Sequence, residues 1–191
     1  MLVTTNNYSG VVEALERCDS LAVDTETTGF YPWQNDVLCG IAIEGAGDAF
    51  YFPFRHSEGN LPITRLAPLR KLLSQPDKSY LGFNYGFDLH FLHKDGVPYA
   101  TKVADVQIAA HLLNENEASG KLKDLGDKYV CPGASEEDKK LDAILKERKL
   151  RKNEMWKLSP QLVEPYACQD VVLTRKLHVF YLPHLDSRNR A

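Results

Sequence analysis

The chain has 191 residues, 43% hydrophobic and 26% charged, an ordinary balance for a soluble domain with its own core. Its net charge of −3 argues against a generally basic nucleic-acid binder, though not against an enzyme that reaches phosphate through bound cations. Nothing at Met1–Asn7 resembles a signal peptide and no apolar run approaches ~18 residues, so a soluble, cytoplasmic protein with no membrane partner is expected.

Strand signals dominate the first third. Leu21-Ala22-Val23 leads into Asp24, and Val37–Ile43 reads as a buried strand. Gly45-Ala46-Gly47-Asp48 is turn material before Ala49–Pro53, which gives a β-meander. A helical period follows at Leu66, Leu69, Leu72 and Leu73. Ser79–Gly82 is a short strand leading into a helix from Tyr85 to Lys94, stopped by Asp95-Gly96-Val97-Pro98. Val103–Leu113 reads as a strand end running into a helix, and Lys121–Val130 as another helix. Ser135–Asn153 is charged and helical, with a short stripe of Leu141, Ile144 and Leu145. Ser159-Pro160 offers an N-cap with proline at the first helical position, and a last long helix is expected from Pro165 to Leu182. Strands first, then strands alternating with helices, predict a mixed β-sheet flanked by α-helices. No composition shift divides the chain, so a single domain over residues 1–191 is expected, with no polymerase domain. Cys18, Cys39, Cys131 and Cys168 are widely spaced, lack a C-x-x-C pair and read as reduced thiols.

Three carboxylate motifs stand out in this frame: Asp24-Thr25-Glu26, Asn84-x-x-x-Asp88 and Tyr166-x-x-x-Asp170. One Asp-x-Glu is expected by chance in about this length, so a single motif is weak and the combination carries the signal. On a strand, residues i and i+2 share a face, so Asp24 and Glu26 project from one side. Like charges so close raise each other's pKa unless a cation intervenes. The alternative is a solvated strand end. Asn84 and Asp88 stack on one helix face, with Asn84 equally suited to N-cap the helix. Asp88 lies among Phe87, Leu89, Phe91 and Leu92 and needs a partner, which a metal or its water would provide. Tyr166 and Asp170 repeat the i, i+4 geometry. Alone, Tyr166 would read better as a core tyrosine.

The runs Val23–Gly29, Gly82–Asp88 and Tyr166–Asp170 resemble the DEDD (DnaQ-like) superfamily of 3′–5′ exonucleases. The tyrosine-bearing branch fits, because the histidine branch would carry histidine where this chain has Pro165. Within the superfamily the chain is most similar to the proofreading domain of family A, DNA polymerase I type, DNA polymerases. The likeness covers nearly the whole chain and is weakest over Pro132–Lys157. It implies a ribonuclease-H-like fold and a two-metal mechanism with Mg²⁺ or Mn²⁺ on oxygen ligands. By that resemblance Asp24, Glu26 and Asp170 hold one ion, Asp24 bridges to a second, Asp88 acts there largely through water, and Tyr166 orients the nucleophile. Thr25, Phe30, Asn84 and Phe87 fall at substrate-binding positions, with Phe30 as an apolar wedge; for Phe30 and Phe87 a core role reads equally well.

The resulting expectation is a metal-dependent 3′–5′ exonuclease acting on single-stranded DNA ends and releasing nucleoside 5′-monophosphates, as in proofreading, replication or repair. It is expected to be a monomer, with a separate DNA polymerase as a candidate partner. Two alternatives stand beside it: an RNA exonuclease of the ribonuclease D kind, and a catalytically silent DNA-binding or packing module of a polymerase. Lys146, Arg148, Lys149, Arg151 and Lys152 could follow a phosphate backbone, but a solvated helix face is the better reading.

Overall fold

The computed structural model describes residues 1–100 and 102–188. One five-stranded sheet runs β3-β2-β1-β4-β5, built from β1 (Ser20–Thr27), β2 (Leu38–Gly45), β3 (Asp48–Pro53), β4 (Ser79–Gly82) and β5 (Val103–Asp105). The meander β1-β2-β3 is antiparallel, whereas β4 and β5 join β1 in parallel. The expected mixed sheet flanked by helices is therefore the fold. No helix among the described residues is long and apolar enough to cross a membrane.

The alternation of β1 assigns its two faces. Leu21 and Val23 pack with α1 (Tyr8–Glu16), α2 (Leu66–Leu72) and α3 (Tyr85–Lys94), while Ala22 faces α7 (Pro160–Arg188). Asp24 and Glu26 continue the Ala22 side. The strand-dominated reading of the first third omits α1, whose Tyr8, Val11, Val12 and Leu15 are buried at i, i+3, i+4 and i+7.

Two boundaries differ from expectation. The final helix starts at Pro160, as the Ser159-Pro160 signal predicts, and continues through Pro165 and Pro183. Val163, Ala167 and Val171 are fully buried against the sheet on both sides of Pro165, and this continuous apolar stripe outweighs the one backbone bond a proline removes. The charged segment forms α6 only over Glu136–Glu147; Lys149 then turns into the left-handed region at φ 56°, and a 3₁₀ turn follows over Lys152–Lys157. Leu141 and Leu145 are buried as their stripe predicts. Arg175 fastens α7 across the sheet, donating to Glu44 at 2.6 Å and to the Ser20 hydroxyl at 2.7 Å.

Gly40 of β2 stands opposite Glu26 of β1. A Cβ there would lie 2.0 Å from the hydroxyl oxygen of Tyr51, a wholly buried ring whose hydroxyl bonds His56 Nε2 at 2.6 Å. Gly40→Ala should destabilise the protein by about 1–3 kcal/mol, the usual cost of overpacking a tight core. Urea denaturation followed by circular dichroism would show it as a lower midpoint at unchanged slope; an unchanged midpoint would mean that Tyr51 moves aside freely.

Candidate active site

The three motifs arrive on three elements and meet at the carboxyl end of β1, beside the ends of the parallel strands β4 and β5. Asp24 and Glu26 sit on β1 where it pairs with Ala42 and Gly40, and the register shifts just after Glu26. Such a bulge turns the strand end and the side chains it carries. Asp88 comes from the first turn of α3, and Tyr166 and Asp170 from α7. Glu26, Asp88 and Asp170 are buried, and Asp24 is partly so.

Thr25 has a structural task beside its expected place at the substrate. It lies between two acids on a strand, so its side chain takes the opposite face, toward α3. Its backbone N–H and hydroxyl both donate to Asp88 Oδ1, at 2.8 and 2.6 Å. It therefore positions Asp88, and it is the hydrogen-bonding partner this buried acid requires.

Asn84 occupies the N-cap position, but its side chain makes no cap bond. The Asp105 carboxylate does that work, accepting from the N–H of Asn84 at 3.1 Å and of Tyr85 at 2.8 Å. The same carboxylate caps α4 (Val106–Leu113) through Gln107 N–H at 2.9 Å. Asn84 itself is left-handed, at φ 57° and ψ 43°, a conformation that asparagine tolerates better than most residues. Its side chain stays exposed beside the acids' end of the sheet. Gly82 is needed for this tight turn, because a Cβ there would lie 2.2 Å from the Tyr85 ring.

Two lysines complete the site. Lys123 of α5 (Leu122–Tyr129) pairs with Asp170 Oδ1, and neither of these two atoms has another hydrogen-bonding partner. The Lys152 ammonium lies 4.2 Å from the centre of the Tyr166 ring and that of Lys123 4.8 Å. Lys152 also pairs with Asp138 at 2.5 Å. The rest of its basic run, Lys146, Arg148, Lys149 and Arg151, is exposed. Lys123 lies in Leu122-Lys123-Asp124-Leu125, a run that shares the family likeness, but its pairing with α7 has no local signature.

A hollow of about 200 Å³ opens beside Glu26, lined by Thr25, Phe30, Phe87, Lys152 and Tyr166 among others. Phe30 is 63% exposed, which removes its core reading, and its ring centre is 6.4 Å from that of the half-buried Phe87. A hollow of about 280 Å³ between α4, α5 and α7 contains none of the motif acids, and Lys128 and Tyr129 hold its one carboxylate, Glu117.

Electrostatics bind these groups together. Burial pushes Asp24 up to about 7 against the pull of Lys123. Burial, then the charge of Asp24, pushes Glu26 up to about 8 against Lys152 and Lys123. Asp88 stands well above the carboxylate range, through burial and Asp24, with the Thr25 bonds opposing. Lys123 is lowered to about 8 by burial, although Asp24, Asp138 and Glu26 favour its charged form. Burial and the charges of Glu26 and Asp24 raise the Tyr166 phenol well above its ordinary value, so it stays a donor at neutral pH.

Buried oxygen-only donors, two of them raised by the charge of Asp24, fit a hard divalent cation, as does an Asp170 oxygen whose one partner is a lysine. Among the described residues, however, no three acid, histidine or cysteine side chains already surround one point. Asp88 is held by Thr25, and Asp170 pairs with Lys123.

A family model described as 3′–5′ exonuclease, of the DNA polymerase A type, matches residues 2–185. The chain belongs to this exonuclease family. The DNA polymerase of Escherichia phage T5 is 29% identical over 180 residues, covering 89% of this chain and 21% of that protein. The chain thus spans about a fifth of that relative's length. Among solved structures, Brucella melitensis NrnC with bound Mg²⁺ superposes with a TM-score of 0.67 at 22% identity, over 100% of this chain and 81% of that one. Trypanosoma brucei RNase D in complex with GMP gives 0.72 at 16% identity, over 95% and 56%. Both share the ribonuclease-H-like exonuclease fold.

The raised acids make the ion-free fold pH-dependent. Asp24 and Glu26, with folded values of about 7 and about 8, stabilise the fold in their protonated forms. That contribution is complete below the unfolded pKa of about 4 and is lost as pH climbs through the folded values. In EDTA the melting temperature should therefore fall between about pH 5 and about pH 8.5, and Glu26→Gln should flatten the decline. Parallel wild-type and Glu26→Gln slopes would contradict the raised value.

Proposed function

We propose that the chain hydrolyses the terminal phosphodiester of single-stranded DNA from the 3′ end, releasing nucleoside 5′-monophosphates. The observation that carries this reading is the meeting of Asp24, Glu26, Asp88, Tyr166 and Asp170, from three elements, at one end of β1 in a chain of the 3′–5′ exonuclease family. Two divalent ions, Mg²⁺ or Mn²⁺, would be held by Asp24, Glu26, Asp88 and Asp170, supplying Lewis-acid stabilisation of the charge that develops in an in-line displacement.

The protein's own groups position the reactants. Phe30 and Phe87 grip the terminal base through its π-face, which every base has, so the grip does not depend on sequence. Asn84 offers its exposed amide to the same nucleotide. Tyr166, held protonated, donates to the attacking water and fixes its line of approach. Lys152, over the Tyr166 ring, brings positive charge to the phosphate side of the hollow. Water's oxygen bonds to phosphorus as the P–O3′ bond to the penultimate nucleotide breaks; that O3′ gains a proton, and the water's proton leaves to solvent. The polymerase-type family model favours DNA, and a partner polymerase domain or subunit belongs to the same reading.

Digestion of 5′-labelled single-stranded DNA, duplex DNA and RNA with Mg²⁺, Mn²⁺ or EDTA tests activity, polarity and sugar choice together. Removal of residues from the labelled strand's 3′ end, fastest on single-stranded DNA and absent in EDTA, is expected; preferential loss of RNA would make the chain a ribonuclease. Asp24→Ala should abolish cleavage while leaving the fold intact, since it removes one of the crowded like charges. Turnover near the wild-type rate in that variant would remove Asp24 from the chemistry. Tyr166→Phe should slow cleavage about ten- to a thousandfold, the range of lost positioning and proton-transfer effects.

Ion binding has a readout of its own. Mn²⁺ at 100 times its Kd should stabilise the fold by about 2.7 kcal/mol for one site. Thermal melts should show that rise in wild type and a blunted one in Asp24→Ala and Asp170→Ala. Equal shifts in all three proteins would place the bound ion elsewhere and favour a silent module.

A further inference from the structure

Among the described residues, every exposed Phe, Tyr and Trp side chain lies on one face of the molecule. Phe30 is 63% exposed, Tyr31 49%, Trp33 72% and Tyr99 52%, whereas all other Phe, Tyr and Trp residues are buried or half-buried. Scattered apolar residues on a surface are ordinary, but a contiguous group that includes a nearly bare tryptophan marks a binding face. We infer that the β1–β2 loop and the outer side of α3 form a platform on which the upstream bases of a single-stranded nucleic acid stack. This inference rests on the proposed exonuclease function and extends its site beyond the terminal nucleotide.

Continuity with the site supports that occupant. Phe30 and Phe87 edge the hollow beside Glu26, and Tyr31 is the next residue along. The Tyr31 and Trp33 rings meet edge to face, with centres 5.5 Å apart. Trp33 then lines a second hollow of about 210 Å³ with Pro32, His90, His93, Lys94 and Tyr99. On its far side His93 and Tyr99 stack at 4.3 Å, tilted by only 13°. Phe87 and His93 are six residues apart on α3, a rise of roughly 9 Å. That length suits about three bases at ~3.4 Å each.

The platform is held in shape before any strand arrives. Tyr31 N–H donates to the Asp36 carboxylate at 2.9 Å, Gln34 N–H to Tyr31 C=O at 2.9 Å, and Val37 N–H to the Thr28 hydroxyl at 2.9 Å. Lys94 ties the loop to α3 through the backbone carbonyl of Asp36, at 2.7 Å. Its ammonium rests on a carbonyl, with charge available for a phosphate. Pro32 is buried beneath the loop. Rigid rings beside exposed histidines and a lysine favour bases joined by phosphates over an aliphatic protein surface.

The test compares single strands of two and eight nucleotides on the full chain, by fluorescence anisotropy in EDTA and by KM with Mg²⁺. Wild type should prefer the octamer. Trp33→Ala and Tyr99→Ala should each reduce the octamer-to-dinucleotide preference by roughly five- to a hundredfold, the range for loss of one base–aromatic stack, with melting temperatures unchanged. Trp33→Phe should restore most of it. In a Trp156→Phe background, the octamer should quench the emission of Trp33 and the dinucleotide should not. If the wild type cuts single strands but the preference is unchanged in Trp33→Ala, the platform is wrong and the exonuclease reading stands. The platform also falls, with the exonuclease intact, if both lengths lose equally or if Trp33→Ala impairs only association with another protein. If the wild type neither binds nor cuts any strand, both fall together.

Discussion

Four carboxylates at one end of a buried central strand are the constraint to which the surrounding structure answers. Burial alone pushes Asp24, Glu26 and Asp88 upward, and the charge of Asp24 adds to it for Glu26 and Asp88. A fold can hold such a group only by supplying hydrogen bonds, cations or protons. All three are visible here. Thr25 supplies two hydrogen bonds to Asp88, Lys123 supplies a cation to Asp170, and the raised values of Asp24 and Glu26 allow them to keep protons near neutral pH. Each response is one that a divalent cation would displace.

The position of β1 makes this arrangement possible. It is the middle strand, antiparallel to β2 on one side and parallel to β4 on the other. Antiparallel pairing carries the meander away from the acids, while the parallel strands bring the carboxyl ends of β4 and β5 alongside. In open sheets with parallel strands, ligands bind at such carboxyl ends. Asp105, at the end of β5, caps both α3 and α4 with one side chain, so the helix that presents Asp88 is fixed to the sheet edge rather than to its own N-cap residue. Asn84 is thereby freed from the structural task its position suggested.

Much of this was legible in the sequence, for local reasons. The strand Ser79–Gly82, the helix Tyr85–Lys94 and the passage from strand to helix at Val106 appear where periodicity and turn residues put them. The shared face of Asp24 and Glu26 follows from strand alternation, and so does the opposite orientation of Thr25, although its target could not be read. What escaped was tertiary. Lys123 and Asp170 are 47 positions apart, and no spacing rule links one helix to another at that range. The start of α7 depended on whether Pro165 would break a helix, a matter decided by Val163, Ala167 and Val171 against the sheet. The helix α1 had a readable stripe, but Val11-Val12 within it also suits a strand.

Lys123 brings one positive charge into the crowded site. Its ammonium is itself lowered to about 8 by burial, so it is a weaker counter-ion than an exposed lysine would be. The lysine neutralises Asp170 at the cost of its own desolvation. A divalent ion brings twice the charge in a smaller radius and relieves Asp24, Glu26 and Asp170 together, where the lysine pairs with Asp170 alone. Lys123 also lies beside the Tyr166 ring, 4.8 Å from its centre, with Lys152 at 4.2 Å. On the proposed reading, in which the Tyr166 phenol aims the water, these two ammonium groups would bring positive charge to the phosphate. The same two lysines that offset the buried acids would, on that reading, also face the substrate.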